Sequence, residues 1–336
     1  MKNLFKIIAF VVLVSDITIA QTSIDYSKLK GPYLGQTPPR MTPELFAPGI
    51  ISTGYTEWTL TFTPDGMEAC YTIQGLNEYN HLVYLKSVNG VWQKPELASF
   101  SNLDQNADPY ISPNGKKLFF WSNGPEKEGQ ESGDNSDIWY VELVGKGWGK
   151  PIRLDSTINT KTWQIFPTVA SNDNLYFSSK YSDSKGGYDI YSCNYVNGKY
   201  LAPVNLGDSI NTTSVEQEPF IAPDESYIIF GSDRQAPRTN NWDLYISFKK
   251  KDGTWTSAKN MGSTINSPYM DQAALVTSDG KYLFFSSRRV RDYNPASKDF
   301  SYKTIVDALG SPQNGNSDIY WVDAKIIQDI KSKVLR

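Results

Sequence analysis

EPFIAPDESYIIFGSDR, residues 218–234, followed after a short loop by NWDLY, residues 241–245, is the stretch that decides the fold. The apolar runs flanking Pro223-Asp224 read as two strands joined by a tight turn, and Asp243 opens a third strand. The same text returns four more times. FTPDG begins at Phe62, ISPNGKKLFFWS at Ile111, VASNDNLYFSS at Val169 and VTSDGKYLFFSS at Val276. DIW, DIY and DIY follow at Asp137, Asp189 and Asp318. The turn positions Pro64, Pro113, Ser171, Pro223 and Ser278 lie 49, 58, 52 and 55 residues apart by subtraction. A period near 50 residues with several short strands in each copy is the pattern of a β-propeller.

The expected fold is therefore all-β: a five-bladed propeller closed by an N-terminal outer strand, with a short C-terminal helix. The phase of the repeat predicts the closure. TPELFAPGIIST, from Thr42, matches the strand that ends later repeats, as in KPIRLDSTINT from Lys150 and APVNLGDSINT from Ala202. The chain thus opens with an outer strand, Pro43–Ile51, and ends with the third strand SDIYWVD. The first completes the last blade and removes the sheet edges at the seam. Within each repeat the second strand carries an aromatic in one column: Tyr71, Phe120, Phe177, Phe230 and Phe285. These are the candidate core. NGVW, KGW, NGKY and DGTW are hairpin signals in which Gly supplies the turn.

Around the propeller, Pro43–Asp323, three flanking segments are expected. Met1–Ala20 has two lysines, a short apolar run and a small-x-small ending, which is the pattern of a cleaved signal peptide. Gln21–Thr42 reads as a polar, Pro-bearing linker. In Ala324–Arg336 the residues Ile326, Ile327, Ile330 and Val334 share one helical face. The expected destination is the periplasm or the exterior, as a monomer without a transmembrane segment. The two cysteines fall on different strands of blades one and three, so buried free thiols are expected rather than a disulfide. A net charge of −3 offers no basic footprint for nucleic acid. One histidine, His81, excludes a His-rich metal site, and no P-loop, GxGxxG or GxSxG occurs. No cofactor and no metal are expected.

The PDG-like turns, LFFSS strands, DIY strands and NLG-x-x-INT outer strands resemble those of TolB-like, WD-repeat-like propellers of exported bacterial proteins. The resemblance spans nearly all of Pro43–Asp323. It implies a propeller, and by analogy a partner from the cell envelope. The best-known members look six-bladed, whereas this chain has five repeats.

Two sets of acids stand out. The recurrent Asp137, Asp189, Asp243 and Asp318 read as structural residues that hydrogen-bond a neighbouring turn. In blade one Leu82 stands at their place. On the inner strands, seven residues before each turn position, stand Glu57, Asn106, Gln164, Glu216 and Asp271. Two residues further on stand Thr59, Asp108, Phe166, Glu218 and Ala273. Residues two apart share a strand face, so Glu57, Asp108, Gln164, Glu216, Glu218 and Asp271 are expected at one mouth of the axis. The Val290–Asn316 insertion, with Tyr293, Phe300 and Tyr302, would partly roof them. The equal alternative is a solvated, hydrogen-bonded axis. Arg234 reads as an inter-blade ion pair. The expected function is a binding or scaffolding module for a glycan or an envelope protein. The alternative is a glycoside hydrolase using axial carboxylates.

Overall fold

The structure, a computed structural model, describes residues 24–101, 105–125, 133, 135–234, 242–292 and 301–334. The expected signal peptide lies outside them. Five antiparallel sheets follow one another along the chain, each led by an inner strand: Thr56–Phe62, Asn106–Ile111, Gln164–Val169, Glu216–Ile221 and Asp271–Val276. In blade four the order runs inner strand, Tyr227–Ser232, Asp243–Phe248, then the short outer strand Lys259–Asn260. The fifth blade takes its outer strand from the other end of the chain. Glu44–Leu45 pairs with Asp318–Asp323, Glu44 opposite Trp321 and Leu45 opposite Tyr320. The propeller is five-bladed and closed as the repeat phase predicts, although the paired segment is only two residues of Pro43–Ile51.

The second-strand aromatics are all buried. Phe177, Phe230 and Phe285 stack on Tyr191, Tyr245 and Tyr320 of their own third strands, with ring centroids 6.2, 6.2 and 5.9 Å apart. Each buried aromatic contributes about 1.5–3 kcal/mol through the apolar surface it withdraws from water. Cys70 and Cys193 are buried and unbridged. Burial pushes the Cys193 thiol up to about 12. Two helices are described, α1 (Tyr302–Leu309) in the blade-five insertion and α2 (Lys325–Val334) at the end of the chain, which buries Ile326 and Ile327. No helix among the described residues is long and apolar enough to cross a membrane. The stretch read as a linker is docked on the propeller: Leu34 is buried and the Tyr33 ring meets Phe62 and Tyr282 edge-on.

The outer-strand motif has a visible purpose. Asn159, Asn211 and Asn266 each accept from a third-strand N–H through Oδ1, from Ile138, Ile190 and Leu244 respectively. The side-chain amide returns a hydrogen bond to the same residue's carbonyl. In blade five Ser52 takes this role against Ile319. The turn after each outer strand is thereby fixed to its own blade, and the next residue (Thr53, Thr160, Thr212 or Ser267) is presented to the following blade.

Candidate functional site at the axial mouth

The inner-strand columns part company at a repeated backbone irregularity. In every blade the pairing of inner and second strands shifts register within the inner strand. At that point Thr59, Asp108, Phe166, Glu218 and Ala273 have φ of 51°, 57°, 54°, 60° and 52°. Five non-glycine residues in the left-handed region at one repeat position make a bulge that every blade repeats. It rotates the chain, so residues two apart no longer share a face.

Glu57, Gln164, Glu216 and Asp271 consequently do not line the mouth. All four are fully buried. Each accepts the backbone N–H of the residue four before it: Thr53 at 3.3 Å, Thr160 at 3.1 Å, Thr212 at 2.7 Å and Ser267 at 2.5 Å. They hold the preceding blade's turn against their own strand. Arg234 pairs with Glu216 at 2.9 Å and Arg289 with Asp271 at 3.4 Å. The same guanidinium groups donate to the Ile210 and Ile265 carbonyls. In blade three Tyr181 fills that slot and donates to the Ile158 carbonyl at 2.6 Å, beside a neutral Gln164. The inter-blade role read for Arg234 is therefore shared by Arg289 and, in neutral form, by Tyr181.

The recurrent aspartates are bound to their own outer strands rather than only to a turn. Arg153, Asn205 and Asn260 donate to Asp137, Asp189 and Asp243 at 2.7, 2.8 and 2.8 Å. Leu45 holds the corresponding place in blade five and has no side-chain donor. Asp318 instead accepts from the Gln313 backbone at 2.6 Å, and burial pushes it up to about 7. In blade one the strand register sets His81 opposite Ile73, where the other blades pair Asp with Ser. The residue replacing the aspartate is thus His81, and Leu82 belongs to the next, buried column.

The bulge residues are the ones that reach the axis. Asp108 and Glu218 line a cavity of about 290 Å³ at the mouth, together with Trp58, Trp121, Trp163, Phe166 and Arg288. Gln74, Asn80 and Gln272 add amides to its wall. Below it, between Pro109, Pro167 and Pro219, the axis narrows to about 20 Å³, space for roughly one water. A ligand must therefore enter and leave by the mouth. No described residue of the Val290–Asn316 insertion lines this cavity. Tyr302 is exposed, and Tyr293 and Phe300 lie outside the described residues. The side chains of Asn314 and Asn316 instead tie the insertion to the Gly54 carbonyl, across the seam between blades five and one.

Each floor carboxylate carries a protein donor. Trp58 Nε1 and Thr59 Oγ1 donate to Asp108 Oδ1 at 3.0 and 3.1 Å. The Trp121 ring and the Phe166 N–H face it too, without reaching Oδ2 in ordinary hydrogen-bond geometry. Ala273 N–H donates to Glu218 Oε2 at 2.7 Å. Burial pushes Glu218 up to about 8, helped by the Asp108 charge nearby, and pushes Asp108 up to about 7 against its donors. The donors follow a rule. In four of the five blades the bulge N–H meets a group at the preceding blade's second strand. Thr59 N–H meets Ser286 Oγ at 3.3 Å and Asp108 N–H meets Thr72 Oγ1 at 3.0 Å. Where that strand has Gly231 or Trp121 instead of a hydroxyl, Glu218 and Asp108 face the N–H in its place.

The three tryptophans were missed in the sequence reading. Trp58 and Trp163 adjoin Glu57 and Gln164, one residue off the polar column, and Trp121 directly follows Leu118-Phe119-Phe120, where blade five has Ser286. Large aromatics at the strand ends facing the axis were the available signal. Among the described residues no group of three metal-ligating side chains occurs.

No protein-family model matches the chain, and no curated protein matches it in sequence. Solved structures do. An α-L-arabinofuranosidase from Lactobacillus brevis aligns over 81% of this chain and 91% of its own, with a TM-score of 0.50 and 13% identity. The catalytic domain of the Coprinopsis cinerea GH62 α-L-arabinofuranosidase aligns over 85% and 97%, with a TM-score of 0.51 and 10% identity. TolB from Acinetobacter baumannii aligns over 80% and 57%, with a TM-score of 0.46 and 13% identity. At these identities the likeness establishes the propeller fold alone.

Proposed function

We propose that the chain is an exported propeller that binds a glycan at its axial mouth. The observation that supports this is the convergence of three tryptophans and two buried carboxylates on one blind cavity. Indole faces match the apolar face of a sugar ring, while carboxylates and amides accept and donate to its hydroxyls. The test is a glycan array on the mature protein, followed by titration of the best hit against Trp163→Ala and Trp58→Phe. Trp163 is 46% exposed, so its loss should weaken binding tenfold or more at unchanged melting temperature. Binding that survives both variants would move the site elsewhere, and a pull-down from envelope extracts would then test a protein partner.

Glycoside hydrolysis is the second reading. It is favoured by the shared cavity and by Glu218, which burial keeps largely protonated at neutral pH as a general acid requires. Against it, both carboxylates already serve backbone or side-chain donors of the scaffold. Glu218→Gln separates the two. Loss of turnover with binding retained indicates an enzyme, and no turnover of any bound glycan by the unaltered protein indicates a binding module. Export is proposed from Met1–Ala20. Mass spectrometry of the periplasmic or secreted protein should find Gln21 at its start.

A further inference from the structure

One position beyond the second-strand column that faces the recurrent Asp (His81 in blade one) stand Gln74, Asn123, Lys180, Asp233 and Arg288. Three of them are engaged by the fold. Asn123 Oδ1 accepts the Gln105 N–H and Asp233 Oδ1 the Val215 N–H, each at 3.0 Å. Lys180 Nζ sits 4.2 Å from the centre of the Tyr188 ring. Gln74 and Arg288 instead line the cavity. Arg288 is exposed, and its guanidinium has no ion pair or hydrogen bond among the described residues. Its neighbour Arg289, by contrast, is tied to Asp271 and the Ile265 carbonyl. An arginine held at a cavity mouth without a protein anion offers a planar fork suited to a carboxylate.

Building on the glycan reading of the mouth, we infer that it selects a carboxylated sugar, a uronic acid unit of an acidic glycan. The cavity is polarised to suit one. Its floor carries the carboxyl groups of Asp108 and Glu218, polar partners for sugar hydroxyls. Its wall carries the indoles of Trp58, Trp121 and Trp163. Its rim carries the guanidinium. A uronic acid presents these partners in the same order, hydroxyls on one edge of the ring and a carboxylate on another. The floor does not cancel the rim cation, because burial raises both carboxyls and leaves Glu218 largely protonated at neutral pH, while Arg288 is exposed.

The experiment is titration calorimetry of the mature protein with oligomers of galacturonate, glucuronate and mannuronate. Carboxyl-reduced, neutral forms of the same oligomers are run beside them. A sialylated lactose arm tells a uronate from the other common sugar carboxylate. At least one uronate oligomer should bind tenfold or more tighter than its reduced form. Arg288→Gln should abolish that ratio, and Arg288→Lys should restore part of it, with no change in melting temperature. Equal affinity for acidic and reduced oligomers overturns the inference and leaves the mouth as a neutral-glycan site. Preference for sialyl-lactose overturns the uronate assignment while keeping Arg288. A preference for uronates that persists in Arg288→Gln overturns the residue's role. Failure of every oligomer to bind, with other glycans bound on an array and lost in Trp163→Ala, rejects the inference alone. Failure on the array as well rejects the glycan reading with it.

Discussion

One repeat position holds Glu57, Gln164, Glu216 and Asp271 in a fully buried, hydrogen-bonded place, and their neighbours decide what each costs. Glu216 and Asp271 have an arginine two residues after Ser232 and Ser287, and blade one has Gly75 two residues after the equivalent Ile73. Glu57 therefore keeps its Thr53 donors but gains no cation, and burial pushes its pKa from 4.5 to about 8, with Asp318 adding to the rise. A carboxyl raised in this way holds its proton in the folded state while the unfolded chain releases it. Its contribution to stability is full below about pH 4.5 and is lost as pH rises to about 8. Asp108, Glu218 and Asp318 act in the same direction. Urea unfolding should show stability falling between pH 5 and pH 8. Glu57→Gln, which copies the Gln164 arrangement, should remove part of that slope and be the more stable protein at pH 8. An unchanged slope would mean that Glu57 is ionised at little cost.

At the scale of the element, the turn that each blade hands to the next is secured in two chemistries, Arg with a carboxylate in blades four and five and Tyr with Gln in blade three. Arg234→Ala leaves Glu216 buried without its cation and should cost about 3–5 kcal/mol, measured by denaturant midpoint. The double change Arg234→Tyr with Glu216→Gln transplants the blade-three solution and should recover most of that loss. A single variant within about 1 kcal/mol of the parent would show the pair to be dispensable. These exchanges explain how much the sequence disclosed. The strands, turns and blade count were legible because they repeat every 50 residues or so, and the seam was legible from the phase of the outer strand. The membership of the site was not. Periodicity counts positions, and a left-handed residue at Asp108 and Glu218 breaks the rule that alternate residues share a face. The acids of one column were thus read together with those of the other. Trp58 and Trp121 sit on different strands, Trp163 just before a third, and the three share no column, so periodicity does not group them. The register of blade one failed for a related reason: no Asp marks its third strand, and the pairing slips by one between His81 and Leu82.

The whole molecule is a ring whose ends must meet, and the residues before the first inner strand make that join. Phe46 is fully buried, with its ring 5.8 Å from Phe62 of blade one and 5.0 and 5.1 Å from Phe284 and Trp321 of blade five. Tyr33 lies against the same group, 5.0 Å from Phe62 and 5.4 Å from Tyr282. The backbone pairing there is only two residues long, so the side chains carry more of the closure than the ladder does. Phe46→Ala should cost about 3–5 kcal/mol, as for other buried phenylalanines. Removing the chain through Ile51 should do more, because it also bares the Asp318–Asp323 edge. The truncated protein should melt well below the mature one and associate at micromolar concentration, which scanning calorimetry and sedimentation velocity will show. An equally stable, monomeric truncation would mean that blade five closes on α2 and the insertion instead. Because the mouth lies where all five inner strands meet, a ring opened at this seam should also lose glycan binding, even with every residue of the cavity intact.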